Sequence, residues 1–193
     1  YQQRATMTIA NPAPPVIASI LQAPAETRAV EFKASFPWAN DAKTARSDPK
    51  TQEVLKSILA MSNLRDGGRI IIGMTNQGVG LGMDEAHLPT YDHDRIIPLI
   101  RTTGDPSPRV RLDRVSYGER IFIVFTIESF IVAPVICCTQ SFNSMEYGAL
   151  YTRTDKPETK KVSDPVELRE IIDIAIDREI ATFSARFQQA ITY

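Results

Sequence analysis

The sequence predicts an α/β (α+β) domain: a mixed β-sheet flanked by helices and closed by a long C-terminal helix. Three observations carry that prediction. Runs of alternating apolar and polar residues interleave with runs at helical spacing. Two strand-like runs, Arg109 to Tyr117 and Arg120 to Glu128, flank a Gly118-Glu119 turn as a β-hairpin. From Asp164 to the end, one apolar stripe recurs with helical period.

Taken in order, residues 1–14 end in Asn11-Pro-Ala-Pro-Pro and read as a flexible tail, leaving 15–193 as a single domain. Val16, Ile20 and Leu21 mark a short helix stopped by Pro24. Val30-Glu-Phe-Lys-Ala-Ser-Phe alternates across a strand: Val30, Phe32 and Ala34 face one way, Glu31, Lys33 and Ser35 the other. The stretch 37–50 is polar and aperiodic, so it reads as a loop carrying an exposed Trp38. Asp48-Pro49 starts a helix, with an acceptor at the N-cap and proline in the first turn. Val54, Leu55, Ile58, Leu59 and Met61 line its core side up to Leu64. Asp66-Gly67-Gly68 turns the chain into a buried strand, Arg69-Ile-Ile-Ile-Gly, and a glycine-rich turn follows over 76–82. A helix spans Asp94 to Arg101. Beyond the hairpin, Val135-Ile-Cys-Cys and Ala149 to Arg153 are short strands. Asp164-Pro165 opens the last helix, with Glu167 spaced for a capping box. Its apolar face is Ile171, Ile172, Ala175, Ile176, Ile180, Phe183 and Phe187.

Composition narrows the function. The 193 residues are 43% hydrophobic and 23% charged, the balance of a globular domain. No apolar run reaches the roughly 20 residues that cross a bilayer, and the first residues lack the apolar region of a signal peptide. Cys137 and Cys138 are the only cysteines; neighbours rarely bridge each other, so they read as small apolar strand residues in a cytoplasmic protein. His87 and His93 do not have zinc-site spacing with them. A net charge of −1 is not that of a strongly basic nucleic-acid binder, so any such activity needs a local basic patch. No Gly-Lys-Ser/Thr phosphate loop occurs anywhere, which excludes ATP hydrolysis of that kind.

Several local patterns then fall in a telling order. They are Glu26-Thr-Arg-Ala-Val-Glu31-Phe-Lys33, Ala60-Met-Ser-Asn63 with Gly67-Gly68 and Ile72-Gly73, Gly78-Val-Gly-Leu-Gly82, and Tyr151-Thr-Arg153. Together they resemble the Schlafen AlbA-like domain family, over about residues 15–180. The resemblance implies a nucleic-acid-binding domain contacting RNA or DNA through phosphate backbones. For its endonuclease members it also implies a metal site: Glu26 and Glu31 as ligands for Mg²⁺ or Mn²⁺, with Lys33 steadying a phosphate. This chain has Thr75 where those enzymes place a third carboxylate. Read from the strand alone, Glu31 and Lys33 equally fit a surface ion pair. Arg65, Arg69, Arg111, Arg153, Lys156, Lys160 and Lys161 are the residues expected to meet phosphates, the three lysines from a polar loop. Arg95, Arg101, Arg109, Arg114 and Arg120 are further basic candidates. The apolar tail of the last helix fits docking on a second copy, which makes a homo-oligomer and an accessory or regulatory role an alternative reading, and equally fits packing back on the chain's own sheet.

Overall fold

The computed structural model describes residues 10–39, 41–45, 47–140 and 145–191. Its centre is a five-stranded mixed sheet in the order β1-β5-β6-β3-β2. The strands are β1 (Asn11–Pro12), β2 (Val30–Lys33), β3 (Gly68–Ile72), β5 (Arg109–Tyr117) and β6 (Arg120–Glu128). β2 runs parallel to β3 and β1 parallel to β5, while β3–β6 and β5–β6 are antiparallel. The hairpin lies where the sequence puts it, with Tyr117 opposite Arg120. Two small ribbons accompany the sheet: β4 (Gly104–Asp105) with β7 (Ile136–Cys137), and β8 (Tyr151–Arg153) with β9 (Thr159–Lys161).

Strand alternation divides the apolar residues between two cores. Ile70, Ile72, Ile123, Phe125 and Ile127 point to the side covered by α3 (Pro49–Ser62), α4 (His93–Arg101) and the start of α5 (Pro165–Ile191). Phe32, Ile71, Phe122 and Val124 point to the opposite, smaller core, which Ile17 of α1 (Pro15–Gln22) closes. The Asp48 carboxylate accepts the Thr51 N–H at 2.7 Å and caps α3, as its sequence predicts. Gly67 has φ +68°, and a Cβ there would lie 2.1 Å from the Ile127 carbonyl oxygen; only glycine lets the turn meet β6 so closely.

Several expectations are corrected. Trp38 is buried, packed among Phe36, Tyr91 and Phe125, because the last two rings arrive from distant parts of the chain. A short helix, α2 (Ala42–Ala45), interrupts the expected loop. The Lys160–Lys161 segment is a strand and not a loop. The expected tail lies outside the described residues over 1–9, and its end pairs as β1 with β5. Among its described apolar side chains the last helix buries Ile171 and Ile174; Ile172, Ile176, Ile180, Phe183 and Phe187 are exposed. Its N-terminus is capped by the Asp164 carboxylate, which accepts from Val166 N–H, while Glu167 turns to Lys160.

Candidate nucleic-acid interface

The Gly67-Gly68 turn, the neighbouring ends of β5 and β6, and one side of α5 border an open groove of about 560 Å³. Four arginines line it: Arg65 before the turn, Arg69 on β3, Arg109 at the start of β5 and Arg178 on α5. Each is placed by an element whose local sequence is legible, since the glycine pair reverses the chain and the hairpin brings Arg109 beside Glu128. Arg65 pairs with Asp177 at 2.8 Å and Arg109 with Glu128 at 2.5 Å. Both pairs are well exposed, so solvent screening leaves them weak and open to exchange. Arg178 lies over the Phe130 ring, 4.6 Å from its centroid, and donates to the Arg65 carbonyl at 2.8 Å. Burial pulls its guanidinium below the ordinary value and the Arg65 charge adds to that, with Asp66 opposing. The backbone N–H of Arg69 donates to the Ala29 carbonyl at 2.8 Å, while its guanidinium has no hydrogen bond or ion pair among the described residues. The groove therefore concentrates cationic donors with one arginine uncommitted.

The Glu26, Glu31 and Lys33 cluster has a different character. Glu26 Oε1 accepts the Phe32 N–H at 2.9 Å, so that carboxylate holds the turn entering β2. Glu31 is buried; its Oε1 lies 3.0 Å from Lys33 Nζ, and its Oε2 accepts from Arg153 Nη1. Lys33 also reaches Glu53 of α3 at 3.0 Å. Burial pulls the Lys33 ammonium down, but the charges and hydrogen bonds of Glu31 and Glu53 outweigh it, leaving its pKa above the ordinary lysine value. The Thr75 hydroxyl accepts the Val79 N–H at 3.0 Å and closes the glycine turn. Among the described residues no group of three or more His, Cys, Asp or Glu side chains is placed to hold a metal ion. With Glu31 committed to two cations and Glu26 to a backbone amide, these residues as arranged do not present the open oxygen set a divalent ion takes.

The model of the Schlafen, AlbA_2 family matches residues 26–163 of this sequence, from the first glutamate of that cluster past its arginine. The chain belongs to the Schlafen, AlbA_2 family. No curated protein matches it. Among solved structures, it is similar to the DIP2311 protein of Corynebacterium diphtheriae, with 18% identity and a TM-score of 0.50. That match covers 79% of this chain and 26% of the other, so the chain spans about a quarter of that protein's length. A second similarity is to the N-terminal domain of a RecG-related protein from Nitrosomonas europaea. There the identity is 14% and the TM-score 0.38, covering 76% of this chain and 91% of that one.

Within this Schlafen, AlbA_2 chain the remaining candidate residues divide by surroundings. Arg153 is corrected from a phosphate contact to an interior residue. It donates to the carbonyls of Arg28 at 2.9 Å, Thr27 at 3.4 Å and Pro157 at 3.1 Å, to Thr159 Oγ1 at 3.1 Å, and to Glu31. No donor is left for a ligand. Arg111 is exposed and pairs with Asp113 at 2.7 Å. Lys160 pairs with Glu167 at 2.6 Å and Lys161 with Glu146 at 2.8 Å. The Lys156 ammonium is exposed and has no partner among the described residues. None of these lines the arginine groove. Of the groove arginines, the sequence reading names three and misses Arg178. Its signal was present: Arg178 stands four residues after Ile174 and seven after Ile171, in line with the buried stripe of α5.

Proposed function

We propose that this chain binds nucleic acid through its phosphate backbone, in the groove lined by Arg65, Arg69, Arg109 and Arg178. The observation that carries the reading is Arg69, a guanidinium without a protein partner among the described residues, facing a groove shared with three other arginines. Planar guanidinium groups match phosphate oxygens two at a time, and the exposed pairs Arg65–Asp177 and Arg109–Glu128 can yield to phosphates at small cost. The overall charge of −1 makes this a local patch and not a basic surface. Family membership agrees with the reading. Contacts of this kind carry no base information, so RNA and DNA strands of unrelated sequence are bound alike.

Fluorescence anisotropy with labelled single-stranded RNA, single-stranded DNA and duplex, repeated across a salt series, tests the reading. Affinity that falls linearly in log–log form with salt, and that Arg69→Ala weakens on every strand, supports it. Absence of binding to all three at micromolar protein and low salt overturns it.

A further inference from the structure

Helix α5 carries an apolar surface that none of the described residues covers. Ile172, Ile176, Ile180, Phe183 and Phe187 are each between 45% and 66% exposed. At 3.6 residues per turn they form one stripe about 80° wide, centred about 150° around the helix from the buried Ile171 and Ile174. Phe183 and Phe187 stack on each other with centroids 6.2 Å apart, and every side chain from Phe183 to Gln189 is exposed. The second half of the stripe thus runs along a part of the helix whose side chains are exposed on every face from Phe183 to Gln189. The family match ends at residue 163, so the whole of α5 lies beyond the matched stretch.

We propose that a second copy of this chain covers the stripe, the two α5 helices packing antiparallel about a two-fold axis at Ile180. The spacing supports this occupant. Counted from Ile180, the stripe has Ile176 and Ile172 four and eight residues before, and Phe183 and Phe187 three and seven after. Reversing the helix against itself sets Ile180 beside Ile180 and brings Phe183 within one residue, about 1.5 Å along the axis, of level with Ile176, and Phe187 likewise with Ile172. A large ring meets a smaller aliphatic chain in each outer layer, the complementarity a self-matching interface requires. A parallel pairing instead stacks two phenylalanine layers at one end and leaves isoleucines alone at the other. The area also suffices. At these exposures the stripe presents roughly 600 Å² per copy, and a pair buries on the order of 1,200 Å², where specific interfaces begin. Because Arg178 and Thr182 of the same helix border the arginine groove, the pair carries two grooves flanking its axis.

Light scattering on the intact chain after size exclusion, at micromolar concentration, reads the assembly directly. The expected mass is twice the 21.5 kDa chain, and Ile180→Asp and Phe183→Glu each return it to 21.5 kDa. Both sites are exposed, so far-UV circular dichroism stays as in the parent, while the melting temperature falls by no more than the mass-action stabilisation that the dimer supplied. Orientation is read by oxidative cross-linking in a Cys138→Ser background. Ile172→Cys mixed with Phe187→Cys gives a disulfide-linked dimer, whereas either variant alone gives none. A wild-type mass of 21.5 kDa overturns the proposal and leaves the stripe to a different partner. So does a dimer that survives Ile180→Asp, or a cross-link formed by Ile172→Cys alone.

Discussion

Arg153 and Glu31 form an ion pair closed to solvent at both ends, with side-chain exposures of 1% and 8%. The pair joins β8 to β2, and the Arg153 guanidinium extends it to the carbonyls of Thr27, Arg28 and Pro157. Arg28 answers by donating to the Arg153 carbonyl at 2.7 Å and gripping both Glu170 oxygens of α5, also at 2.7 Å. Arg153→Ala leaves the buried carboxylate with only Lys33 beside it, and breaking a buried pair by removing one partner costs about 3–5 kcal/mol. Urea unfolding of Arg153→Ala should show a loss of that size. Arg28→Ala removes an ion pair that is partly exposed, so a loss of about 1 kcal/mol is expected. Equal losses for the two variants would mean that Arg153 is not the anchor of this network.

Two glycines with the same sign of φ are expected to differ in cost. At Gly67 a Cβ meets the Ile127 carbonyl oxygen at 2.1 Å, so alanine forces the turn away from β6. At Gly118, φ is +60° and nothing lies within 4 Å of the added carbon. Gly118→Ala should therefore cost only the left-handed backbone penalty, about 1–2 kcal/mol. Gly67→Ala adds backbone displacement to that penalty and should be the more destabilising by at least about 2 kcal/mol. Thermal melts of both variants decide the ranking.

Much of this fold is legible because its signals are local. The hairpin follows from alternation and a Gly-Glu turn, and α3 from Asp48-Pro49 and its apolar spacing. What escapes is set by partners far along the chain. Glu31 and Lys33 are visible as one face of a strand, but Arg153 lies 122 residues from Glu31, and no spacing shows that the two meet. Asn63 of the Ala-x-x-Asn pattern is similar: its amide donates to the carbonyls of Val135 and Tyr151, both at 3.0 Å, and accepts the Val135 N–H at 2.7 Å. The pattern is recognisable, while its work of tying α3 to β8 and the segment before β7 is not. β9 has only three residues, two of them lysines, which is too short and too polar for alternation to register.

Stability should fall on the alkaline side. Burial pushes the Cys137 thiol and the Tyr91 and Tyr151 hydroxyls above their ordinary values of 9.0 and 10.0. Lys33 is also raised above its ordinary 10.5, the attraction of Glu31 and Glu53 overcoming burial. A group whose folded pKa is raised contributes fully below its unfolded pKa, and the contribution fades as pH climbs toward the folded value. The loss should begin near pH 9 with the thiol and steepen above pH 10 as the unfolded chain releases tyrosine and lysine protons. Tyr91→Phe removes one of these groups together with its hydrogen bond to the Phe36 carbonyl, 3.0 Å long. It should cost about 1 kcal/mol near neutrality and flatten the alkaline decline. Urea melts at neutral and alkaline pH measure both effects; an unchanged slope in Tyr91→Phe would assign the decline elsewhere.

The groove makes a prediction about salt as well as affinity. The Arg69 guanidinium has no protein partner among the described residues, so its removal breaks no ion pair and its whole effect should appear in binding. If it contacts one phosphate, Arg69→Ala should lower the slope of log affinity against log salt by about 1. Arg178→Ala should weaken binding too, but it also loses the Phe130 contact and the bond to the Arg65 carbonyl, so some stability goes with it. Arg111 supplies the control. It is exposed and basic, it pairs with Asp113, and it lies outside the groove, so Arg111→Ala should leave the salt slope unchanged. Anisotropy titrations of the three variants at several salt concentrations separate a built site from general attraction. A slope that drops equally in Arg111→Ala and Arg69→Ala would mean that the strand meets the surface at large and not the groove.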